Sequence, residues 1–91
     1  MANIKVELLT QLKAAAGQPG LTLDCADVPL SRVISAVAEA LPETGPLMLS
    51  ESGGRHAWLL ASVDDIVVAV QDDPVVPAGA TVLLGTPISG G

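Results

Sequence analysis

Ile4, Val6 and Leu8 are separated by Lys5 and Glu7, the period of two that marks a strand with one buried face. Leu21, Leu23 and Cys25 alternate with Thr22 and Asp24 in the same way. Between the two runs lies Thr10-Gln11-Leu12-Lys13-Ala14-Ala15-Ala16, whose alanines suit a short helical turn. Gly17, Pro19 and Gly20 then break it, so the start of the chain reads as a hairpin with a decorated connection. A different period follows. Leu30, Val33, Ile34, Val37, Ala38 and Leu41 form one apolar stripe at helical spacing, which predicts an amphipathic helix over residues 29–41. Asp27 or a neighbour is placed to cap its start, Pro29 suits the first turn, and Pro42 ends the pattern. Ser31, Ser35 and Glu39 mark its wet face.

Residues 43–54 turn to loop composition, with Pro46, Ser50, Ser52 and Gly53-Gly54. Apolar runs then return at 58–63, 66–70, 75–76 and 81–84, separated by Asp64-Asp65, Asp72-Asp73 and Pro77-Ala78-Gly79. Their β-branched content argues strands, and the paired aspartates argue turns. The predicted order is two strands, a helix, then two to four strands. That order indicates an α+β domain with the helix packed across one face of a mixed sheet.

Composition narrows what such a domain can do. Ninety-one residues make one small domain. Apolar residues reach 49% against 15% charged, which excludes a disordered tail. There is no Phe, no Tyr and a single tryptophan, Trp58. Four basic residues stand against ten acidic ones, for a net charge of −6. Stacking platforms need aromatics and phosphate contacts need cations, so nucleic acid and anionic membranes are not expected as partners. An electrostatic partner should be basic. Residues 1–7 have no long uncharged apolar stretch after a basic start, so a signal peptide is not expected. No apolar run approaches the roughly 20 residues that cross a bilayer. One cysteine cannot form an internal disulfide, which suits a reducing compartment. A cytoplasmic location is the expectation.

The side chains offer little chemistry. Cys25 falls on the apolar side of a predicted strand and reads as a buried structural residue. His56 has no second histidine or cysteine pair to share a metal, and reads as a loop residue; no metal site is expected. Ser52-Gly53-Gly54 lacks the lysine of a phosphate loop and reads as a turn. Asp64-Asp65 and Asp72-Asp73 read as turn residues rather than ligands for a divalent ion. Trp58 reads as a core or sheet-face residue, with a partner anchor as the alternative. No Ser-His-Asp or Cys-His constellation can be assembled.

The sequence finishes with Pro87-Ile88-Ser89-Gly90-Gly91. Two terminal glycines bury nothing and lose the most backbone entropy when ordered. They suit a thread that enters a narrow channel and presents the α-carboxylate to an enzyme. Five extended residues reach roughly 17 Å. A terminal carboxyl, with a reference pKa of about 3.5, is ionised at neutral pH and can attack a nucleotide phosphate.

Element order and tail together resemble a known family. The chain is similar to the ubiquitin-like β-grasp sulfur carriers, the group that holds the molybdopterin synthase small subunit and the thiamine-biosynthesis sulfur carrier. Thr10-Gln11-Leu12-Lys13-Ala14-Ala15-Ala16-Gly17 resembles the molybdopterin subunit's A-x-L-R-E-A-A-G stretch, which the shorter thiamine carriers lack. Leu30-Ser31-Arg32-Val33-Ile34 and Leu41-Pro42-Glu43 resemble the family helix and its Pro-Glu ending. Gly79-Ala80-Thr81-Val82-Leu83-Leu84-Gly85-Thr86-Pro87-Ile88-Ser89-Gly90-Gly91 resembles the last strand and tail, commonly G-D-x-V-x-h-h-P-P-h-S-G-G, where h is apolar. Departures are Thr86 in place of the first proline, Gly85 in place of an apolar residue, and Ala78 and Ala80 where acidic residues are common. Thr86 should leave the tail less stiff, and Gly85 should end the last strand early. The family's third strand fits either residues 58–63 or residues 66–70. The first fit, with His56 and Val63-Asp64-Asp65 in matching places, resembles carriers that feed cysteine synthesis; the second resembles the usual molybdopterin form.

The resemblance implies a mixed sheet of four to five strands on one main helix over residues 1–86, and a flexible tail over 87–91. It implies that an adenylyltransferase of the ubiquitin-activating type joins AMP from ATP to Gly91, and that a sulfur donor converts the adenylate to a thiocarboxylate. Pro87, Ile88, Ser89 and Gly90 would thread the partner's channel. An acceptor enzyme such as the molybdopterin synthase large subunit would then take the sulfur. The protein would be a cosubstrate with no bound cofactor, not an independent enzyme. Alternatives are carriers for cysteine, thiamine or specialised thio-metabolites, a modifier joined to protein lysines through Gly91, and an interaction module with an inert tail.

Overall fold

The computed structural model describes residues 3–86 of the chain. In chain order these are β1 (Ile4–Leu8), α1 (Thr10–Ala16), β2 (Gly20–Leu23), β3 (Val28–Pro29), α2 (Leu30–Ala40), a 3-10 turn (Pro42–Thr44), α3 (Gly45–Met48), β4 (Leu60–Val63), β5 (Ile66–Val67), β6 (Val75–Val76) and β7 (Thr81–Gly85). Five strands form one mixed sheet in the order β2-β1-β7-β4-β5, and β3 pairs with β6 in a separate two-stranded sheet. The expected mixed sheet on one main helix is present.

The period-two pattern of β1 buries Ile4, Val6 and Leu8 and leaves Lys5 outside. β2 returns antiparallel, with Val6 opposite Leu21 and Ile4 opposite Leu23. β7 lies parallel to β1 on its other side, Val6 opposite Val82 and Leu8 opposite Leu84. A parallel pair needs a long crossover, and the chain between β2 and β7 supplies it with α2. Leu30, Val33, Ile34 and Val37 of α2 share one core with Val82 and Leu84. The stripe that predicted the helix is the face it buries.

The helix start differs from expectation. Pro29 is the N-cap residue and makes no side-chain cap bond. Asp27 instead adopts a left-handed φ of 57°, and its N–H donates to the Val76 carbonyl at 2.8 Å. The cap arrives from far along the chain. The Ser31 N–H donates to Asp73 Oδ1 and the Ser31 hydroxyl to Asp73 Oδ2, both at 2.7 Å. A carboxylate there satisfies an orphan donor and meets the positive end of the helix.

Other expectations shift by a few residues for local reasons. The loop expected over 43–54 contains the 3-10 turn and α3, with Pro46 in the first turn of α3, where its missing N–H costs nothing. Met48 and Thr44 are buried there, and the Thr44 hydroxyl donates to the Leu41 carbonyl at 2.7 Å. Of the run 58–63, only Leu60–Val63 is strand, and of 66–70 only Ile66–Val67. Arg55 lies where the two segments meet: its guanidinium donates to the carbonyls of Leu59 (2.9 Å), Val68 (2.9 Å) and Ala69 (3.1 Å), while the Val68 N–H donates to the Ala61 carbonyl at 2.9 Å. Burial pulls the Arg55 pKa below its ordinary value, against the opposing pull of Asp73.

The register between strands settles on the first of the two fits, since β4 pairs with β7 and β5 is an edge strand. Asp64 and Asp65 turn the β4–β5 hairpin with φ of 48° and 70°, the double left-handed turn whose twist matches a hairpin. Asp64 Oδ1 also accepts from the Thr81 N–H at 2.9 Å. The last strand does not end early, because β7 includes Gly85. A Cβ at Gly85 would sit 3.2 Å from the Leu9 Cβ, so the glycine lets Leu9 lie across the strand end.

Candidate functional site

Gly91, Pro87, Ile88, Ser89 and Gly90, the residues expected to carry the chemistry, lie outside the described residues. What the structure shows is the place where they begin. β7 is flanked by β1 and β4, and it ends at Gly85, next to Thr86. Thr86 is buried, 5% exposed. The hydroxyl of Thr10, just past the end of β1, lies 3.0 Å from the Thr86 carbonyl and 3.4 Å from its nitrogen. Thr86 itself is held, its backbone tied to Thr10 at the start of α1; the stiffness expected of the tail after it lies outside the described residues.

An apolar concavity opens beside this root on the sheet face opposite α2. It measures about 470 Å³, and Leu9, Leu60, Val67, Leu83, Gly85 and Thr86 line it. Strand alternation puts Val82 and Leu84 in the core and so turns Leu83 and Gly85 outward. Leu60 and Val67 are 57% and 77% exposed. This surface was not among the sequence-based expectations. Its signal was the adjacent apolar pairs Leu59-Leu60 and Leu83-Leu84, since a strand with one wet face would place a polar residue at every second position. Toward the β1 side of the same face stand Lys5 and Glu7, 4.0 Å apart and well exposed, a pairing that adds little stability.

The remaining candidates divide between turns and surface. Cys25 lies past the end of β2, half-buried and packed against the core rather than within the strand. Trp58 is neither core nor sheet face. It is 50% exposed, stacks on His56 with ring centroids 3.7 Å apart, and donates its indole N–H to the Leu47 carbonyl at 3.1 Å. His56 is in a loop, as expected, but gains this partner. Ser50, Ser52, Gly53 and Gly54 close a turn in which the Gly53 N–H donates to the Ser50 carbonyl at 2.9 Å. Among the described residues no cluster of three metal-ligating side chains occurs, and no helix is long and apolar enough to cross a membrane. Asp72 and Asp73 lie in the turn before β6, Asp73 serving the helix cap described above.

No protein-family model matches the chain, and no curated protein matches it in sequence. Solved structures do match in three dimensions. SAMP1 from Haloferax volcanii superposes with a TM-score of 0.87 at 20% identity, covering 98% of this chain and 99% of that one. Urm1 from Trypanosoma brucei gives 0.74 at 20% identity over 99% of this chain and 96% of its own. A putative molybdopterin converting factor subunit 1 from Pyrococcus furiosus gives 0.73 at 13% identity over 97% and 100%. The likeness spans nearly the full length in each case and is one of fold.

Proposed function

We propose that this protein, which has the ubiquitin-like β-grasp fold, is a sulfur carrier that works through a thiocarboxylate at Gly91. The observation that carries the reading is the exit of β7. The last strand delivers Thr86, buried and tied down, to the rim of an exposed apolar concavity, and Pro87-Ile88-Ser89-Gly90-Gly91 follows at once. The resemblance in the tail motif supports the same reading, as does the likeness in fold to the putative molybdopterin converting factor subunit 1.

The chemistry needs only the main-chain end. An oxygen of the Gly91 carboxylate attacks the α-phosphorus of ATP, and pyrophosphate leaves, giving an acyl adenylate. A donor supplying sulfur at the sulfide level attacks the acyl carbon and AMP leaves, giving the thiocarboxylate. ATP belongs to the activating partner, and the carrier itself holds no cofactor. The apolar concavity would dock on that partner, and the net charge of −6 favours a basic surface around it. A cytoplasmic setting follows for such a cosubstrate.

For the acceptor we propose molybdopterin precursor, with this chain as the small subunit of molybdopterin synthase. The α1 segment and the Pyrococcus furiosus structure support it. The register of β4 and β5 resembles carriers of cysteine synthesis, so a cysteine-precursor acceptor is the comparison to run beside it. A second reading is favoured by a structure described as that of small archaeal modifier protein 1 from H. volcanii. In it, a lysine amine attacks the same acyl carbon and forms an isopeptide bond.

The experiment is transfer of label from ATP to the full chain and to a Gly91-deleted chain by an adenylyltransferase of the ubiquitin-activating type. Labelling of the full chain alone supports the proposal. Equal labelling of both, or of neither, removes it. Ladders of higher mass on denaturing gels would favour the modifier reading.

A further inference from the structure

Thr10 has a backbone φ of 52°, a region that a β-branched residue occupies only where its surroundings hold it there. Those surroundings are the end of the β1–β7 ladder. The Lys5 N–H donates to the Ala80 carbonyl at 3.0 Å and the Leu9 N–H to the Leu84 carbonyl at 2.9 Å, the regular alternation of a parallel pair. The next rung of that ladder would carry the Thr86 N–H to the Leu9 carbonyl. The Thr10 hydroxyl stands between them instead. The Thr86 N–H points to Thr10 Oγ1 at 3.4 Å, and Thr10 Oγ1 lies 2.8 Å from the Leu9 carbonyl.

The same oxygen is 3.0 Å from the Thr86 carbonyl and 3.3 Å from the Thr86 hydroxyl. Its single proton has the Leu9 and Thr86 carbonyls as acceptors, the Thr86 N–H donates to one of its lone pairs, and between the two hydroxyls either can be the donor. The hydroxyl thus extends the sheet by one side-chain rung, after the backbone of β1 has turned away into α1.

We infer that Thr10 is a positioning residue whose hydroxyl clasps Thr86 and fixes the point at which the tail begins. The clasp is a property of the fold; its use in activation rests on the carrier reading. A thread entering a channel docks best when its root is already ordered, because any residue that frays must be ordered again on binding.

Amide hydrogen exchange on the full chain tests the clasp. Thr10→Val keeps the branched shape and removes the hydroxyl, whereas Thr10→Ser keeps the hydroxyl. Exchange at Thr86 should rise roughly tenfold or more in Thr10→Val, the loss expected of one hydrogen-bonded rung, and stay near wild type in Thr10→Ser. Val6 and Val82 should keep their protection in both. Thr10→Gly takes the left-handed conformation freely, so it separates strain from hydroxyl and should show the same fast exchange even if Thr10→Val folds poorly. Wild-type protection of Thr86 in Thr10→Gly overturns the clasp.

For the positioning role, Thr10→Val should raise KM for the activating enzyme several-fold and leave kcat unchanged. Fast exchange with an unchanged KM overturns that role. A wild-type chain that is never adenylated removes the carrier reading and the positioning role together, while the clasp still stands or falls on exchange.

Discussion

Gly20 opens β2 directly against β1, and a Cβ there would collide with the Val6 carbonyl oxygen. That neighbour is backbone and cannot rotate away. Gly20→Ala should therefore push β2 off its partner and lower stability by about 2–4 kcal/mol in urea unfolding. A loss below about 0.5 kcal/mol would show that the edge pair yields freely. The glycine was legible in the sequence as a breaker, but not as a site of close approach, because its neighbour comes from a strand more than ten residues earlier. The same limit explains Thr10 and Trp58. Nothing local announces that Thr10 reaches Thr86, or that the Trp58 indole N–H is held at the surface by the Leu47 carbonyl rather than in the core. Asp64 and Asp65 were legible because a left-handed hairpin turn is a local matter and their side chains tolerate it.

Elements followed the same division between near and far. α2 was readable to within a residue at each end, because its stripe of Leu30, Val33, Ile34 and Val37 repeats over three turns. α3 was not, since four residues are too few to show a period. The proline in its first turn, so often a loop signal, was there compatible with a helix. β3 and β6, two residues each, lie below any pattern. Asp73 makes α2 depend on a loop more than forty positions away in sequence. Asp73→Ala should cost about 1–2 kcal/mol by removing the carboxylate from the helix start, measured by chemical denaturation, with Asp27→Ala costing less. The reverse order would assign the cap to Asp27, as the sequence suggested.

At the scale of the molecule, the sheet has two different faces. One is closed by α2. The other carries an apolar concavity beside the last described residue, on a chain of net charge −6. Leu60 tests whether that face has a use. It is more than half exposed, so Leu60→Asp should change stability by no more than about 0.5–1 kcal/mol, yet raise KM for the activating enzyme by tenfold or more. An unchanged KM would mean that docking lies elsewhere on the surface.

On the proposed reading the reactive group is the main-chain carboxylate of Gly91. Intact-mass measurement of the full chain, after incubation with an activating enzyme, ATP and a sulfur donor, addresses that claim most directly. The expected result is a mass change of one oxygen replaced by one sulfur, mapped to Gly91. A chain that acquires AMP but never sulfur, or that remains unmodified with every activating enzyme tried, would contradict it.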